Sequence, residues 1–223
     1  MFKKIIIFAL TLVMSVALLS ACGGGASGGA ADKEITADFT DPTFLSFVYH
    51  LTKIEEGKPI RASDVADIDI VNLSFWDIYD LSGLEHFTSM RVFICQNEEL
   101  KNVDLTPYVA LEYLDIQGAD WTEIDVSKNV NLVELNIRLT DIAAIDLSNN
   151  PALENLDIAH TPITEIDLSH NPALKMLDIR ENGVLLLDIT HNTALEELYY
   201  GFNFDNDGEL IGLDESRTKV ELY

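Results

Sequence analysis

Apolar residues return along this chain at a fixed interval of 21. Leu111, Leu132, Leu153, Leu174 and Leu195 stand that far apart, and so do Leu114, Leu135, Leu156, Leu177 and Leu198. Two residues after the second column come Ile116, Ile137, Ile158, Ile179 and then Tyr200; later columns hold Trp121, Ile142, Ile163 and Val184, and Ile124, Ile145, Ile166 and Leu187. In "LENLDI" the alternation turns Leu156 and Ile158 to one side and Asp157 to the other, which predicts a strand with one buried face. "IDLS" alternates in the same way, with Ile166 and Leu168 inward and Asp167 outward, so the opposite side of each unit is also extended and leaves little room for helix. One coil of this length cannot bury its apolar face alone. Coils must stack, their strands about 4.8 Å apart in a parallel sheet, and the period predicts a solenoid. Asn150-Pro151 and Asn171-Pro172 supply turn chemistry at a coil corner.

The template reaches upstream. Met90, Phe93, Cys95, Leu100 and Val103 fit a unit starting at 90, and Val65, Ile68, Ile70, Phe75 and Ile78 fit a longer one starting at 65, for seven units in all. Cys95 takes an inward position, as a small hydrophobe. Both ends of such a stack need covers. "DPTFLSFVYHL" predicts a capping helix, with Asp41 at its N-cap, Pro42 in the first turn and an apolar stripe of Phe44, Leu45, Phe47, Val48 and Leu51. At the other end the strict register fails at Asp205 and Gly208, and "LDESRTKVELY" reads as a closing unit in which Leu213-Asp214 takes the place of Leu187-Asp188.

The segments "LVELNIRLTDI", "LENLDIAHTPI" and "LKMLDIRENGV" resemble the LxxLxLxxNxL strand of the leucine-rich repeat family over about residues 65 to 200, with Thr140 and Thr161 where the family has asparagine and Asn182 and Asn203 keeping it. The lead-in "IYDLSGLEHFTSMRVF" and the "IDLSNNPAL" turns look most like the bacterial surface and secreted branch, which includes the internalins. The resemblance implies an α/β-type solenoid with a parallel β-sheet on its concave side, a mostly extended and turn-rich convex side and a short helical N-terminal cap. It also implies a non-enzymatic module that binds through the outward positions of the concave strands. Here these include Tyr113, Asp115, Glu134, Asn136, Arg138, Asp157, His160, Met176, Asp178, Arg180, Glu197, Tyr199 and Phe202.

The first 22 residues change the picture of location. "MFKKIIIFALTLVMSVALLSAC" carries two lysines, an apolar run and small residues before Cys22, a secretory signal. Its ending, Leu19-Ser20-Ala21-Cys22, resembles the lipobox of bacterial lipoproteins, which implies cleavage before Cys22 and lipidation of that cysteine. "GGGASGGA" follows as a flexible tether. The expected organisation is a signal peptide over 1–21, a lipidated cysteine and tether over 22–38, a helical cap over 39–64 and the repeat domain with its closing unit over 65–223. Formal charge is −24 before cleavage, and loss of Lys3 and Lys4 lowers it further. Such a surface repels nucleic acid. With Cys95 the sole cysteine left beside Cys22, stability must come from packing rather than disulfides.

Few residues suggest chemistry beyond display. Asp104, Asp125, Asp146, Asp167 and Asp188 form a column on the back of the coils, readable as a cation ladder or, as we favour, as acceptors for backbone donors in their own turns. His170 and His191 share a register, yet two imidazoles without a third ligand read better as exposed turn residues than as a zinc site. No nucleophile stands beside a base. "NFDNDGELIGLD" fits a calcium loop, with oxygen ligands at Asn203, Asp205, Asp207 and Asp214, Gly208 in the sixth place and Leu210 in the eighth; a polar loop in the last coil is the competing reading. No other cofactor is expected. The sequence thus predicts a monomeric, lipid-anchored, extracytoplasmic module for a protein or glycan partner, against the alternatives of a structural envelope protein or an accessory module to a hydrolase.

Overall fold

A computed structural model of the chain describes residues 32–96, 99–100, 102–201 and 209–222. Cys22, Phe202, Asn203, Asp205 and Asp207 lie outside the described residues. Two helices come first, α1 (Pro42–Thr52) and α2 (Ala62–Ala66). Among the described residues ten strands follow: β1 (Ile70–Asn72), β2 (Val92–Ile94), β3 (Tyr113–Asp115), β4 (Glu134–Asn136), β5 (Asn155–Asp157), β6 (Met176–Asp178), β7 (Leu186–Asp188), β8 (Glu197–Tyr200), β9 (Glu209–Ile211) and β10 (Lys219–Leu222). Among the described residues, eight strands make one parallel sheet in the order β1-β2-β3-β4-β5-β6-β8-β10, and β7 pairs with β9 on the opposite side of the coils. The register is in step with the repeat: Leu114, Leu135, Leu156, Leu177 and Leu198 are consecutive partners across the sheet. All five are buried, as are Ile116, Ile137, Ile158, Ile179, Trp121 and Cys95.

The cap forms as its residues dictate. Asp41 accepts hydrogen bonds from the Thr43 and Phe44 amides at 2.7 and 3.0 Å, closing the first turn of α1 after which Pro42 needs no donor. Its second oxygen accepts from the Tyr79 amide at 2.8 Å, so one carboxylate joins the helix to the loop of the first coil. Burial raises the pKa of that carboxyl, but the four amides around it outweigh burial and hold it below the usual carboxylate range. Phe44, Phe47, Val48 and Tyr49 bury one face of α1, and Leu45 and Leu51 pack at its margin.

Register at the two ends differs from the sequence reading. In the first coil Val71 pairs with Phe93, so Ile68, Val71, Leu73, Ile78 and Leu81 are the counterparts of Met90, Phe93, Cys95, Leu100 and Val103. That unit starts at 68 rather than 65, Ile70 faces outward, and Phe75 is fully exposed rather than inward. Val65 is buried, but from within α2. The slip arises because apolar residues occupy both candidate registers here, and only pairing with β2 decides between them. In the last coil Leu210, not Leu213, stands opposite Leu187.

The bonds that tie coil to coil sit at a corner that the sequence marked only as a turn. The side-chain amide of Asn150 donates to the carbonyls of Val126 and Asn129 in the preceding coil at 3.1 and 2.9 Å. Asn129, Asn171 and Asn192 repeat the arrangement, each bridging two carbonyls one coil back. All four are buried. Thr140 and Thr161, in the family's asparagine column, bond only within their own coils, to the carbonyls of Ile137 and Ile158. Replacing Asn171 by Ala should remove two buried inter-coil hydrogen bonds at about 0.5–1.5 kcal/mol each, the Leu147 and Asn150 carbonyls keeping their amide partners within the coil, and lower the melting temperature clearly. Replacing the exposed Asn149 next to its counterpart Asn150 should leave it nearly unchanged, a comparison that calorimetry settles.

Candidate functional site: the concave strand face

Two rows of side chains run along the outer face of the main sheet. One holds Ile70, Val92, Tyr113, Glu134, Asn155, Met176, Glu197 and Lys219 in cross-strand register; the other holds Asn72, Ile94, Asp115, Asn136, Asp157, Asp178, Tyr199 and Glu221. Their chemistry changes along the solenoid, from apolar and neutral at β1 and β2, through acidic at β3 to β6, to aromatic and mixed at β8 and β10. The predicted residues Tyr113, Asp115, Glu134, Asp157, Asp178 and Tyr199 all lie in these rows, and Arg138 and Arg180 stand two residues past them.

The acidic stretch is not a simple solvated patch. Asp115, Asp157 and Asp178 each accept the amide of the residue two further on, at 3.0, 3.0 and 3.1 Å, and Asn136 does the same for Arg138. An Asx turn therefore ends each of these strands, which gives Asp and Asn a structural reason to recur there. Spacing alone does not separate this from a binding pattern; the Asp-x-[Ala/Arg/Gln] recurrence was the available signal. Burial also raises Asp115, Glu134 and Asp157. Asp157 is pushed up to about 7 by burial and then by Asp178, its partner in register, while Glu134 reaches about 7 through burial and then Asp115. Burial likewise raises the Asp115 carboxyl and the Tyr113 phenol.

At the C-terminal coils the side chains lock one another. The Arg180 guanidinium grips the buried Asp178 carboxylate through Nε and Nη2, and lies 5.3 Å from the centre of the Tyr199 ring. The Tyr199 hydroxyl donates to Glu197 at 2.5 Å. A charged and an aromatic group are thus held ready at the surface, with their rotamers fixed before any contact is made. His160 sits apart, exposed on a turn with φ of 56°. Gly118, Leu139, His160 and Glu181, 21 residues apart, all take this left-handed conformation just beyond the strands, and their amides donate to the next coil or beyond the strand end.

The back column is built of turns. Asp104, Asp125, Asp146, Asp167 and Asp188 each accept the amide two residues on, at 2.9 Å, and Asp214, in the closing unit and out of this column, does so at 3.0 Å. Hydrogen bonds from the neighbouring Ser or Thr hold Asp125, Asp146, Asp167, Asp188 and Asp214 below their ordinary pKa. His170 and His191 are exposed. Among the described residues, no group of three His, Cys, Asp or Glu side chains could hold a metal ion. Of the proposed calcium ligands the structure describes Asp214 alone, whose carboxylate is engaged by Ser216 and lies 3.6 Å from Arg217.

This geometry has solved counterparts. Internalin C2 of Listeria monocytogenes superposes with a TM-score of 0.74 over 89% of this chain and 100% of its own, at 17% identity. The fold is a leucine-rich repeat solenoid. Internalin inlF of the same species matches at a TM-score of 0.65 and 20% identity, over 76% of this chain and 52% of its own. The functional domain of the Listeria internalin InlJ matches at 21% identity over 78% of this chain and 53% of its own, with a TM-score of 0.39. The chain therefore spans about half the length of the inlF and InlJ structures. No protein-family model and no curated protein sequence matches it.

The raised acids make stability depend on pH in a defined direction. Asp157 and Glu134 hold protons up to about 7 when folded, against 3.8 and 4.5 as reference values, so between those limits the folded chain binds more protons than the unfolded one. Stability should rise as pH falls from 8 to 5, by at most about 1.4 kcal/mol per pH unit for each proton, with the gain complete near pH 4. The turn aspartates act oppositely, losing their contribution below that range. Melting curves should show a higher Tm at pH 5 than at pH 8, and Asp157→Asn should raise the Tm at pH 8 and flatten the slope. A Tm that falls on acidification from 8 to 5 would contradict the assignment.

Proposed function

We propose that the chain is a lipid-anchored, extracytoplasmic recognition module that binds a protein partner through its concave strand face, centred on the C-terminal coils. The observation that carries this is the cluster of Asp178, Arg180, Tyr199 and Glu197. Arg and Tyr are residues that dominate binding energy when fixed at an interface, and here their ordering cost is met within the fold. Acidic neighbours along the face suit a partner with basic groups and speed its approach. The anchor rests on the resemblance of Leu19-Ser20-Ala21-Cys22 to a lipobox, and the Gly/Ser run after it would hold the solenoid clear of the membrane. Among the described residues no helix is long and apolar enough to cross a membrane.

Both halves of the proposal can be tested apart. Cys22→Ser should release the chain from the membrane fraction or leave an unprocessed precursor; processing to the same size with unchanged membrane extraction would contradict the anchor. For the face, a partner captured from envelope extract should dissociate about tenfold faster from a chain carrying Tyr199→Ala, with Tm little changed; Arg180→Ala should also speed dissociation but lower the Tm, because it leaves the buried Asp178 carboxylate without its partner. Asp146→Ala and Asp167→Ala, on the back column, should not alter dissociation. The reverse pattern would move the contact to the convex side.

A further inference from the structure

The N-terminal rim of the solenoid carries a second, chemically distinct feature. A pocket of about 370 Å³ opens between α1, β1 and the turn after β1, within the roughly 300–1,000 Å³ range of small-ligand sites. Its aromatic side is made by Phe47, Phe75 and Trp76, and its polar side by His50, Asn72 and Ser74. The Trp76 indole is fixed edge-on against Phe47, ring centres 5.4 Å apart at 78°, and tilted against His50 at 6.1 Å. The Ser74 amide donates to Asn72 Oδ1 at 2.9 Å, which orients the Asn72 side chain and leaves its amide protons and the Ser74 hydroxyl without a hydrogen-bond partner among the described residues.

Phe75 is the unusual member. By register it takes the place that Gly118, Leu139, His160 and Glu181 hold in later coils, and it shares their left-handed backbone, with φ of 70°. That conformation turns the side chain out to solvent, and the ring is fully exposed. Neither packing nor backbone preference accounts for a phenylalanine there. Charge narrows the ligand. The chain has 38 Asp and Glu residues among 223, yet no Asp, Glu, Lys or Arg lines the pocket. A charged ligand would find no counter-ion in it.

Aromatic rings facing uncharged hydrogen-bonding groups, with Trp76 held against Phe47 and Phe75 exposed at the rim, match a ligand that is flat and apolar on one face, hydroxylated at its edge and neutral. We propose that this pocket binds an uncharged hexopyranose unit of a glycan, its C–H face on Trp76 and Phe75 and its hydroxyls on Asn72, Ser74 and His50. The site is independent of the protein-binding reading of the C-terminal coils, and changes at Arg180 and Tyr199 should leave it intact.

Tryptophan fluorescence reads the site directly, because of the two tryptophans Trp121 is fully buried in the stack while Trp76 lines the pocket. The full-length chain, held in a sugar-free detergent, is titrated with maltotriose, chitotriose, mannotriose and lactose. At least one should change the emission saturably with a millimolar Kd, and Phe75→Ala and Asn72→Ala, both at exposed positions, should each weaken it at least about fivefold, with the Tm unchanged for Phe75→Ala and lowered by only a few degrees for Asn72→Ala, which loses the Ser74 turn bond. No saturable change with any of the four up to tens of millimolar overturns the proposal. So does a change that both variants retain, which would place sugar elsewhere. If N-acetyl-phenylalaninamide, which does not absorb where tryptophan is excited, saturates the Trp76 signal and the sugars do not, the pocket takes an aromatic side chain of a protein, and the glycan assignment is wrong.

Discussion

Each coil of this solenoid is an incomplete object until the next one closes it, and the buried asparagine amides are where that closure is most demanding. The turn carbonyls each accept one backbone amide from their own coil, as Leu147 does from Asn150 and Asn150 from Leu153, and keep a second lone pair for a donor from outside it. The asparagine one period later supplies two donors in a fixed geometry, reaching two carbonyls at once, one of them the backbone oxygen of the asparagine before it. The chain therefore has to return to the same point every 21 residues, or the amide misses and both buried hydrogen bonds between coils are lost. The leucine and isoleucine columns fill the space between, but they tolerate small changes of shape; the amide does not. The corner bonds fix the rise per coil, and with it the parallel register of the main sheet.

Once the rise is fixed, the outward positions are released from the work of folding, though not completely. At the back, aspartates close turns with the amide two residues on. At the front, Asp115, Asp157 and Asp178 end the strands in the same way while facing the concave surface. Stacking identical coils then brings like charges into register, as with Asp157 beside Asp178, and the fold answers with Arg180 and with a raised pKa at Asp157. The surface that results is less negative near neutral pH than the composition suggests. Its strongest fixed features are the Arg180–Tyr199 pair at one end and the uncharged aromatic pocket at the other.

The middle of the molecule was legible from sequence because the repeat is strict there: five leucines in each of two columns admit one register. The ends were not. Val65, Ile68 and Ile70 fit the template as well as Ile68, Val71 and Leu73 do, and nothing short of pairing with β2 separates the two frames. In the last coil the spacing lengthens, and Leu210 takes the place assigned to Leu213. The inter-coil amides were hidden by their company, since asparagine before proline reads as a turn residue wherever it occurs. At the concave face, residue types and positions were readable, but the Asx turns and the effect of burial on Asp157 and Glu134 depend on neighbours one coil away. The pocket at the first coil was missed for the same reason as the register, since Phe75 was placed inside.

Inward and outward positions one residue apart do different things in this fold. Leu156, with coils on both sides, and Asp157, on the concave face, test this in a single pair of melting curves. Leu156→Asp buries a carboxylate without a partner, at a cost of several kcal/mol, and should lower the Tm by roughly 10 °C at about 2–4 °C per kcal/mol. Asp157→Ala should shift it by a few degrees at most, in either direction according to pH. Equal losses for the two would contradict the assignment of inward and outward faces, and with it the reading of the concave surface as a displayed one.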